Sequence, residues 1–249
     1  MNPFQSLSRP HTRIKLCGLT RMEDVRLAGE LGVDAIGLVF APQSPRRLDI
    51  PVARRLREAA PASLAVVALV MDQPIDEVRK IIDFVRPDVL QFHGSEDDMA
   101  CRHFGMPFLK AIPMRGVEAG QVPAMLAGYP SAEGFVFDAH APGAPGGTGE
   151  RFDWDLLTRR IVGRPWLLAG GLTPSSVGDA VRRLQPWGVD VSSGIERVTG
   201  IKDAARTRDF VEAVRAADRE RPPAVSSGAD ETYSPAENEQ FPREHDEQS

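Results

Sequence analysis

A short stretch near the start of the chain places a thiol where it could act as an acid or a base. The stretch begins at Arg13 and reads Arg-Ile-Lys-Leu-Cys-Gly-Leu-Thr. Its apolar residues Ile14 and Leu16 alternate with two other positions, as in a strand. The period of two therefore places Lys15 and Cys17 together on the opposite face. A glycine ends this strand, so the thiol lies at the strand's carboxyl end.

The residues after this strand carry a helix-start signal. Thr20 and Glu23 have the spacing of a capping box, in which two side chains satisfy free backbone N–H groups. A nearby helix N-terminus and Lys15 would both lower the pKa of Cys17 from the usual value of about 8.5. The alternative is a buried core cysteine, since free Cys often has no other role.

The elements that must position this thiol repeat eight times along the chain. Apolar strands alternate with amphipathic helices, which predicts a closed parallel barrel over residues 13–217. A doubly wound open sheet is the alternative, but no glycine-rich dinucleotide fingerprint follows the first strand. The predicted strands are 13–17, 33–40, 64–70, 88–93, 107–112, 134–138, 166–169 and 189–191, and the predicted helices are 22–31, 51–60, 74–85, 96–104, 117–127, 153–160, 174–184 and 203–217.

Composition narrows the class of protein. An apolar content of 42% over 249 residues is that of a globular protein. We expect no membrane span, because no run approaches the required length of about 20 apolar residues. The first residues have no apolar core typical of a secretory signal, and two cysteines form no disulfide framework, so we expect a cytoplasmic protein. The sequence has no basic stripe interleaved with aromatic residues, so we expect no binding of nucleic acid.

The negative charge of the chain is concentrated at its end. The net charge is −5, and residues 218–249 contain nine acidic and three basic side chains. This segment has few apolar residues and no period, which predicts a disordered acidic tail. The tail is either an inert, solubilising extension or an interaction segment. Residues 1–12 are predicted to be a flexible N-terminal extension.

Two loops that follow strands have the residues of an anion site. Gly170 and Gly171 lead directly into a helix, and Ser192, Ser193 and Gly194 follow the last strand. Glycines let backbone N–H groups approach an anion, and a helix N-terminus adds partial positive charge. Loops after strands seven and eight often hold phosphate in such barrels. Either loop alone could be a simple turn, but together they predict a phosphate site.

The sixth strand supplies a second reactive group. If Phe135 and Phe137 face the helices, Asp138 points into the mouth of the barrel. Strands one and six are three places apart in a ring of eight, so Asp138 and Cys17 would flank a ligand from opposite sides. An acid and a base so placed suit an isomerase, although a strand-end aspartate can also simply cap a turn. The loop that follows could donate N–H groups to phosphate through Gly147 and Gly149.

Two further polar side chains follow strands. Arg46, in the loop after strand two, could bind a carboxylate through a two-pronged hydrogen bond or could simply be solvated. His93 ends strand four and could line the pocket or be a structural histidine. The sequence has no cluster of His, Cys and carboxylate residues with metal-ligand spacing, so we expect no metal.

Six segments resemble the phosphoribosylanthranilate isomerase family of tryptophan biosynthesis. The resemblance covers about residues 13–217, in order, and implies a barrel of the ribulose-phosphate-binding type that uses no cofactor. The segments are Lys15 to Thr20, Ser44 to Arg46, Gln91 to Gly94, Phe137-Asp138 with Gly146 to Gly149 and Phe152 to Trp154, Ala169 to Leu172, and Asp190 to Glu196. Small departures, such as Ala169 where Ser is frequent, change little.

The resemblance implies an Amadori rearrangement of N-(5-phosphoribosyl)anthranilate to 1-(2-carboxyphenylamino)-1-deoxyribulose 5-phosphate. Asp138 matches the general acid that opens the ribose ring, and Cys17 matches the general base at ribose C2. Arg46 matches the residue that holds the anthranilate carboxylate, with His93 beside the substrate. The glycine and serine turns match the phosphate site. The partner is a small-molecule substrate, and we expect a monomer or homodimer.

Two other functions compete with this interpretation. One is another sugar-phosphate barrel isomerase, such as that of histidine biosynthesis, which uses paired aspartates where this chain has Cys17. The other is a non-catalytic barrel that binds phosphate ligands. We further hypothesise that Lys15 supports a Cys17 thiolate and that Asp190 on strand eight pairs with Lys15.

Overall fold

Eight parallel strands close into a barrel in the computed structural model, which describes residues 11–118, 120–139, 154–157 and 163–220. The first strand pairs with both the second and the eighth, so the sheet has no free edge. The predicted barrel is confirmed. Its strands are β1 Arg13–Cys17, β2 Ala35–Val39, β3 Ala65–Val70, β4 Val89–Phe92, β5 Phe108–Pro113, β6 Gly134–Asp138, β7 Trp166–Leu168 and β8 Gly188–Val191.

Helices follow most of these strands and cover the outside of the barrel. They are α1 Met22–Glu30, α2 Ile50–Ala59, α3 Ile75–Val85, α4 Asp98–Arg102, α5 Val122–Ala127, α6 Pro174–Leu184 and α7 Ala204–Arg219. Helices α4 and α5 are shorter than predicted by several residues, for local reasons. Asp97 caps α4 by accepting from Ala100 N at 2.7 Å. Pro123 lacks an N–H group and suits the first turn of α5, which begins at Val122.

The predicted capping box at Thr20 and Glu23 is wrong. Helix α1 begins at Met22, with Arg21 as its N-cap and no side-chain capping bond. The hydroxyl of Thr20 donates instead to the backbone oxygen of Gly200, and Glu23 pairs with Arg21 at 3.1 Å. A contact distant in sequence has taken the side chain that the local pattern assigned to the helix.

A small hairpin between β8 and α7 was not predicted. Its antiparallel strands are β9 Glu196–Val198 and β10 Ile201–Lys202, and they place Glu196 opposite Lys202. A 3₁₀ turn over Ser193–Ile195 precedes it. After β6, the structure describes a 3₁₀ turn at Trp154–Leu156, within the helix predicted at 153–160. Leu157 is not helical, and residues 153 and 158–160 lie outside the described residues.

Alternation along the strands separates two apolar layers. Ile14 and Leu16 pack in the layer between strands and helices, together with Phe135 and Phe137. Val136 packs in a second layer inside the barrel. The predicted faces of β1 and β6 are therefore confirmed, and the intervening residues of both strands face the barrel axis.

The two ends of the described barrel are joined by hydrogen bonds. Thr12 donates its backbone N–H and its hydroxyl to the carboxylate of Asp218, at 2.8 and 2.7 Å. Helix α7 continues to Arg219, two residues beyond its predicted end. The rest of the predicted extension and acidic tail, residues 1–10 and 221–249, lies outside the described residues. Within the described part of the chain, every helix is too short or too polar to cross a membrane.

Candidate active site

One cavity lies at the carboxyl ends of the strands, as expected for a barrel of this kind. Its volume is about 710 Å³ including the open mouth. It brings together nine of the residues that the sequence singled out, from six different strand ends. These are Cys17, Arg46, His93, Asp138, Gly170, Gly171, Ser192, Ser193 and Gly194. Gly147 and Gly149 lie outside the described residues.

The thiol of Cys17 lies on one wall of this cavity, and 7% of the residue is exposed. The Lys15 side chain reaches towards it from the same face of β1, and its positive charge acts on the thiol. Both groups converge on Gly37 of β2. A Cβ atom at position 37 would lie 2.7 Å from the Cys17 Sγ atom and 3.2 Å from the Lys15 Nζ atom. The absence of a side chain there leaves room for the thiol and the ammonium group.

The hypothesised partner of Lys15 is confirmed. Its Nζ atom lies 2.8 Å from Asp190 Oδ2, and both side chains are buried. The register of β1 with β8 sets Lys15 directly opposite Asp190. Burial lowers the pKa of Lys15, but Asp190 and Cys17 outweigh this effect and raise it above its ordinary value. Lys15 is therefore a cation at neutral pH.

The prediction that the pKa of Cys17 is lowered is wrong. Burial raises the pKa of the Cys17 thiol above its ordinary value, although Lys15 and Lys202 act to lower it and Asp190 adds to the increase. The expected help from a helix is missing because α1 begins only at Met22. The lysines therefore reduce the cost of forming a thiolate without making it the resting form.

Asp138 lies across the cavity at the end of β6, and 9% of it is exposed. Its Oδ2 atom lies 4.0 Å from Nε2 of His93, which directly follows β4. The two predicted residues are thus neighbours. Asp138 and Cys17 line the same cavity from β6 and β1, three strands apart, so a ligand bound in the cavity would lie between a carboxyl group and a thiol.

Arg46 has a partner that the sequence did not indicate. Its Nε and Nη2 atoms each lie 2.7 Å from a carboxylate oxygen of Glu196. Lys202 also donates to Glu196, at 2.9 Å. Burial raises the pKa of Glu196, but the Arg46 hydrogen bond and the Lys202 charge outweigh it and lower the pKa below its ordinary value. Glu196 ends the segment Asp190 to Glu196, which carries part of the family resemblance. Lys202 reaches Glu196 only because of the hairpin of β9 and β10, which the sequence did not predict.

The two predicted anion-binding turns are packed against each other. Gly170 and Gly171 have φ angles of +84° and +63°, which favour glycine, and they precede the eleven-residue helix α6. A Cβ atom at position 194 would lie 1.8 Å from the backbone oxygen of Leu172. Only glycine at position 194 allows the turn after β8 to approach the turn after β7 so closely.

Buried charged side chains of both signs lie around the cavity. The cations are Lys15, Arg46 and Lys202, and the acidic side chains are Asp138, Asp190 and Glu196. Arg46 lines the cavity, and its guanidinium can attract a small anion such as a carboxylate or a phosphate. Among the residues that the structure describes, no three His, Cys, Asp or Glu side chains are grouped so as to hold a metal ion.

The fold and this cavity define a β/α-barrel protein with a thiol and a carboxyl group in one cavity at the carboxyl ends of its strands. The family model described as N-(5'phosphoribosyl)anthranilate (PRA) isomerase matches residues 14–213. The chain belongs to this family, and it is an enzyme, an aldose–ketose isomerase.

Individual relatives agree with this assignment. The N-(5'-phosphoribosyl)anthranilate isomerase of Stenotrophomonas maltophilia (strain K279a) is 55% identical over 213 residues, covering 86% of this chain and 97% of that one. Phosphoribosyl anthranilate isomerase from Thermus thermophilus superposes with a TM-score of 0.71 at 32% identity, covering 82% and 99%. A phosphoribosyl anthranilate isomerase in complex with reduced 1-(o-carboxyphenylamino)-1-deoxyribulose 5-phosphate gives 0.71 at 27% identity, with the same coverage.

Proposed function

We propose that the cavity at the carboxyl face carries out the family reaction with Cys17 as general base and Asp138 as general acid. The chain is a phosphoribosylanthranilate isomerase of tryptophan biosynthesis. It converts N-(5-phosphoribosyl)anthranilate to 1-(2-carboxyphenylamino)-1-deoxyribulose 5-phosphate. The observation that carries the assignment of roles is the position of Cys17 and Asp138 on opposite sides of one cavity.

Asp138 acts first in this mechanism. Its carboxyl group gives a proton to the ribose ring oxygen, the bond from that oxygen to C1 breaks, and the anthranilate nitrogen becomes part of a Schiff base. His93, 4.0 Å from the carboxylate, is placed to orient Asp138 or to contact the substrate beside it. A positioned acid of this kind contributes about 10²- to 10⁴-fold to the rate.

Cys17 acts on the opened sugar. The thiolate removes the proton from ribose C2, and the electron pair moves into the C1–C2 bond to give an enolamine. Tautomerisation of the enolamine then gives the ketone product. Because burial raises the pKa of the Cys17 thiol, the base must be generated against that cost, and the positive charge of Lys15 reduces the cost.

The support from Lys15 can be tested by two substitutions that should shift the pKa of Cys17 in opposite directions. Lys15→Met removes a cation, so we expect the pKa of Cys17 to rise and the ascending limb of the kcat/KM profile to move to higher pH. Asp190→Asn removes an anion that raises this pKa, so the limb should move to lower pH. The pH dependence of Cys17 alkylation measures the same pKa directly.

Cys101 does not interfere with this measurement, since burial raises its pKa to about 12. A Cys101→Ala background removes any residual signal from that thiol. An unchanged pKa of Cys17 in Lys15→Met would contradict the role given to Lys15, and shifts in the same direction in both variants would point to general disruption of the pocket.

Arg46 holds the anthranilate carboxylate in this proposal. Glu196 occupies the edge of the guanidinium formed by Nε and Nη2, so the substrate carboxylate approaches the other edge, through Nη1. The same carboxylate from Glu196 keeps the guanidinium plane fixed. The substrate therefore meets an arginine that is already oriented.

The phosphate binds between the turns after β7 and β8, at Gly170, Gly171, Ser192, Ser193 and Gly194. These residues line the cavity next to the start of α6. Free backbone N–H groups of a helix start and glycine turns are suited to phosphate. Gly147 and Gly149, in the loop after β6, complete the site in this proposal.

The close approach of these turns yields a further prediction. Gly194→Ala places a methyl group against the Leu172 backbone, so the turns must separate. We expect a higher KM and a loss of about 1–3 kcal/mol in the free energy of unfolding, as for other overpacking substitutions. Gly120→Ala is the matched control, because its Cβ would meet nothing within 4 Å. Unchanged KM and stability in Gly194→Ala would contradict the packing described for the two turns.

The function itself is tested by turnover of purified protein. Loss of phosphoribosylanthranilate fluorescence and formation of the ribulose product are the expected results. An inactive protein that still binds the reduced product found in the solved relative would indicate a non-catalytic phosphate-binding barrel. Turnover of the histidine-pathway aminoimidazole substrate alone would indicate the other isomerase. The Cys17 thiol at the end of β1 argues against that second function.

We also propose a cytoplasmic location and a monomeric or homodimeric state, with residues 13–217 as the catalytic domain. Cys17 and Cys101 are both free thiols, as a reducing compartment favours. The family is biosynthetic and takes a small-molecule substrate. Sedimentation of the purified protein distinguishes a monomer from a dimer.

A further inference from the structure

A chain of buried ion pairs connects the proposed carboxylate-binding arginine to the proposed phosphate-binding turn. Glu196 accepts two hydrogen bonds from Arg46 and one from Lys202. Lys202 also donates to the backbone oxygen of Ser192, at 3.0 Å. Four residues thus form one continuous path from the loop after β2 to the turn after β8.

The side chains in this path are shielded from solvent. The exposed fractions are 8% for Arg46, 5% for Glu196 and 2% for Lys202. Buried charges are costly unless they are paired, and removing one partner leaves another charge uncompensated. Such a path is a poor choice for stability alone, because apolar side chains of similar volume would serve that purpose at least as well.

The hairpin that carries this path is fastened to the loops around the cavity. Glu196 and Lys202 face each other across β9 and β10. The Thr20 hydroxyl donates to Gly200 at the turn, and Arg21 Nη2 donates to the Lys202 backbone oxygen at 2.9 Å. The hairpin is therefore held against the loop after β1, which follows the proposed base.

We propose that Glu196 and Lys202 are positioning residues that link the Arg46 guanidinium to the Ser192 turn, so that one connected unit binds both ends of the substrate. The inference rests on the proposed function and deepens it. Glu196 fixes the guanidinium plane for the anthranilate carboxylate, and Lys202 fixes the turn for the phosphate. Neither residue touches the reacting atoms.

The link to Arg46 is tested by a double-mutant cycle. We expect Glu196→Gln, which keeps the side-chain shape, to raise KM about tenfold or more while kcat changes little, because it acts on binding through a buried charge pair. In an Arg46→Ala background the same substitution should have almost no further effect on KM. Equal effects of Glu196→Gln in both backgrounds would show that it acts independently of Arg46 and would overturn this part of the proposal.

The link to phosphate is tested with the reduced product analogue and its dephosphorylated form. The Kd of the dephosphorylated form divided by the Kd of the phosphorylated analogue measures what the phosphate contributes to binding. We expect Lys202→Met to reduce this ratio about tenfold, since a buried charged donor behind the turn is lost. An unchanged ratio in Lys202→Met would overturn the role of Lys202.

Controls separate these outcomes from loss of folding and from failure of the proposed function. Glu58→Gln is the matched control, because it removes one carboxylate from the exposed Arg54–Glu58 pair and should leave KM and both Kd values unchanged. Thermal unfolding verifies that each variant is folded. A parent protein without isomerase turnover would refute the proposed function, whereas an active parent with an unaffected Glu196→Gln variant would refute only the linking role.

Discussion

Replacing Asp138 with Asn is expected to reduce kcat/KM by at least about 10²-fold and by up to about 10⁴-fold. The amide has the shape of the carboxyl group but cannot protonate the ring oxygen as a carboxylic acid does. Opening of the ribose ring should then become rate-limiting. The measurement is the initial rate of substrate fluorescence loss in the variant and in the parent.

Two comparisons make the Asp138→Asn result specific to proton transfer. The Kd of the reduced product analogue should stay close to that of the parent, because the side chain at position 138 keeps its size. Asp179→Asn removes a carboxylate from an exposed ion pair on α6 and should leave activity unchanged. An Asp138→Asn variant with parental turnover would remove Asp138 from the mechanism, and a loss explained wholly by weaker analogue binding would make it a binding residue.

Replacing Cys17 with Ala is expected to have an effect of similar size, a loss of about 10²- to 10⁴-fold in kcat. Alanine has no group that can take the proton from ribose C2. The opened Schiff base would form but would not proceed to the enolamine. Single-turnover kinetics in the two variants would distinguish a block before ring opening from a block after it.

The second cysteine provides the matched control for Cys17→Ala. Cys101 is buried on α4 and lies outside the cavity, so Cys101→Ala should keep turnover while losing some stability. Full activity in Cys17→Ala would mean that the thiol is only a core residue. A general loss of activity in both cysteine variants would attribute the effect to packing.

The barrel and much of the cavity could be predicted because each depends on local periodicity. Alternation in β1 and β6 was enough to assign Cys17 and Asp138 to the barrel interior, and both line the cavity. Continuous apolar strands indicated burial on both faces. Once eight strands close into a ring, their carboxyl ends meet, and residues far apart in sequence become neighbours.

The features that were missed depend on contacts between distant segments. Thr20 has the local spacing of a capping residue, but its hydroxyl is taken by Gly200, 180 residues later. Glu196 and Lys202 acquire their positions through the hairpin after β8 and through Arg46. The periodic pattern of residues within one helix or strand does not predict such a contact.

The direction of the pKa shift of Cys17 could not be predicted from local sequence either. Sequence spacing correctly placed a lysine beside the thiol, and the neighbouring charge does act in the predicted direction. Burial acts in the opposite direction and is the larger effect. The Cys17 thiol is buried because the barrel closes around it, and the residues of one strand alone do not predict that closure.

The roles of Cys17 and Asp138 are tested by following the ribose C2 proton in a single turnover. Substrate deuterated at C2 is mixed with excess enzyme, and fluorescence loss is compared with that of unlabelled substrate for the parent, Cys17→Ala and Asp138→Asn. If Cys17 removes this proton, the parent turns over the deuterated substrate more slowly, and each variant loses at least about 10²-fold in rate. Turnover at the parental rate by Cys17→Ala would contradict the role of Cys17 as the base.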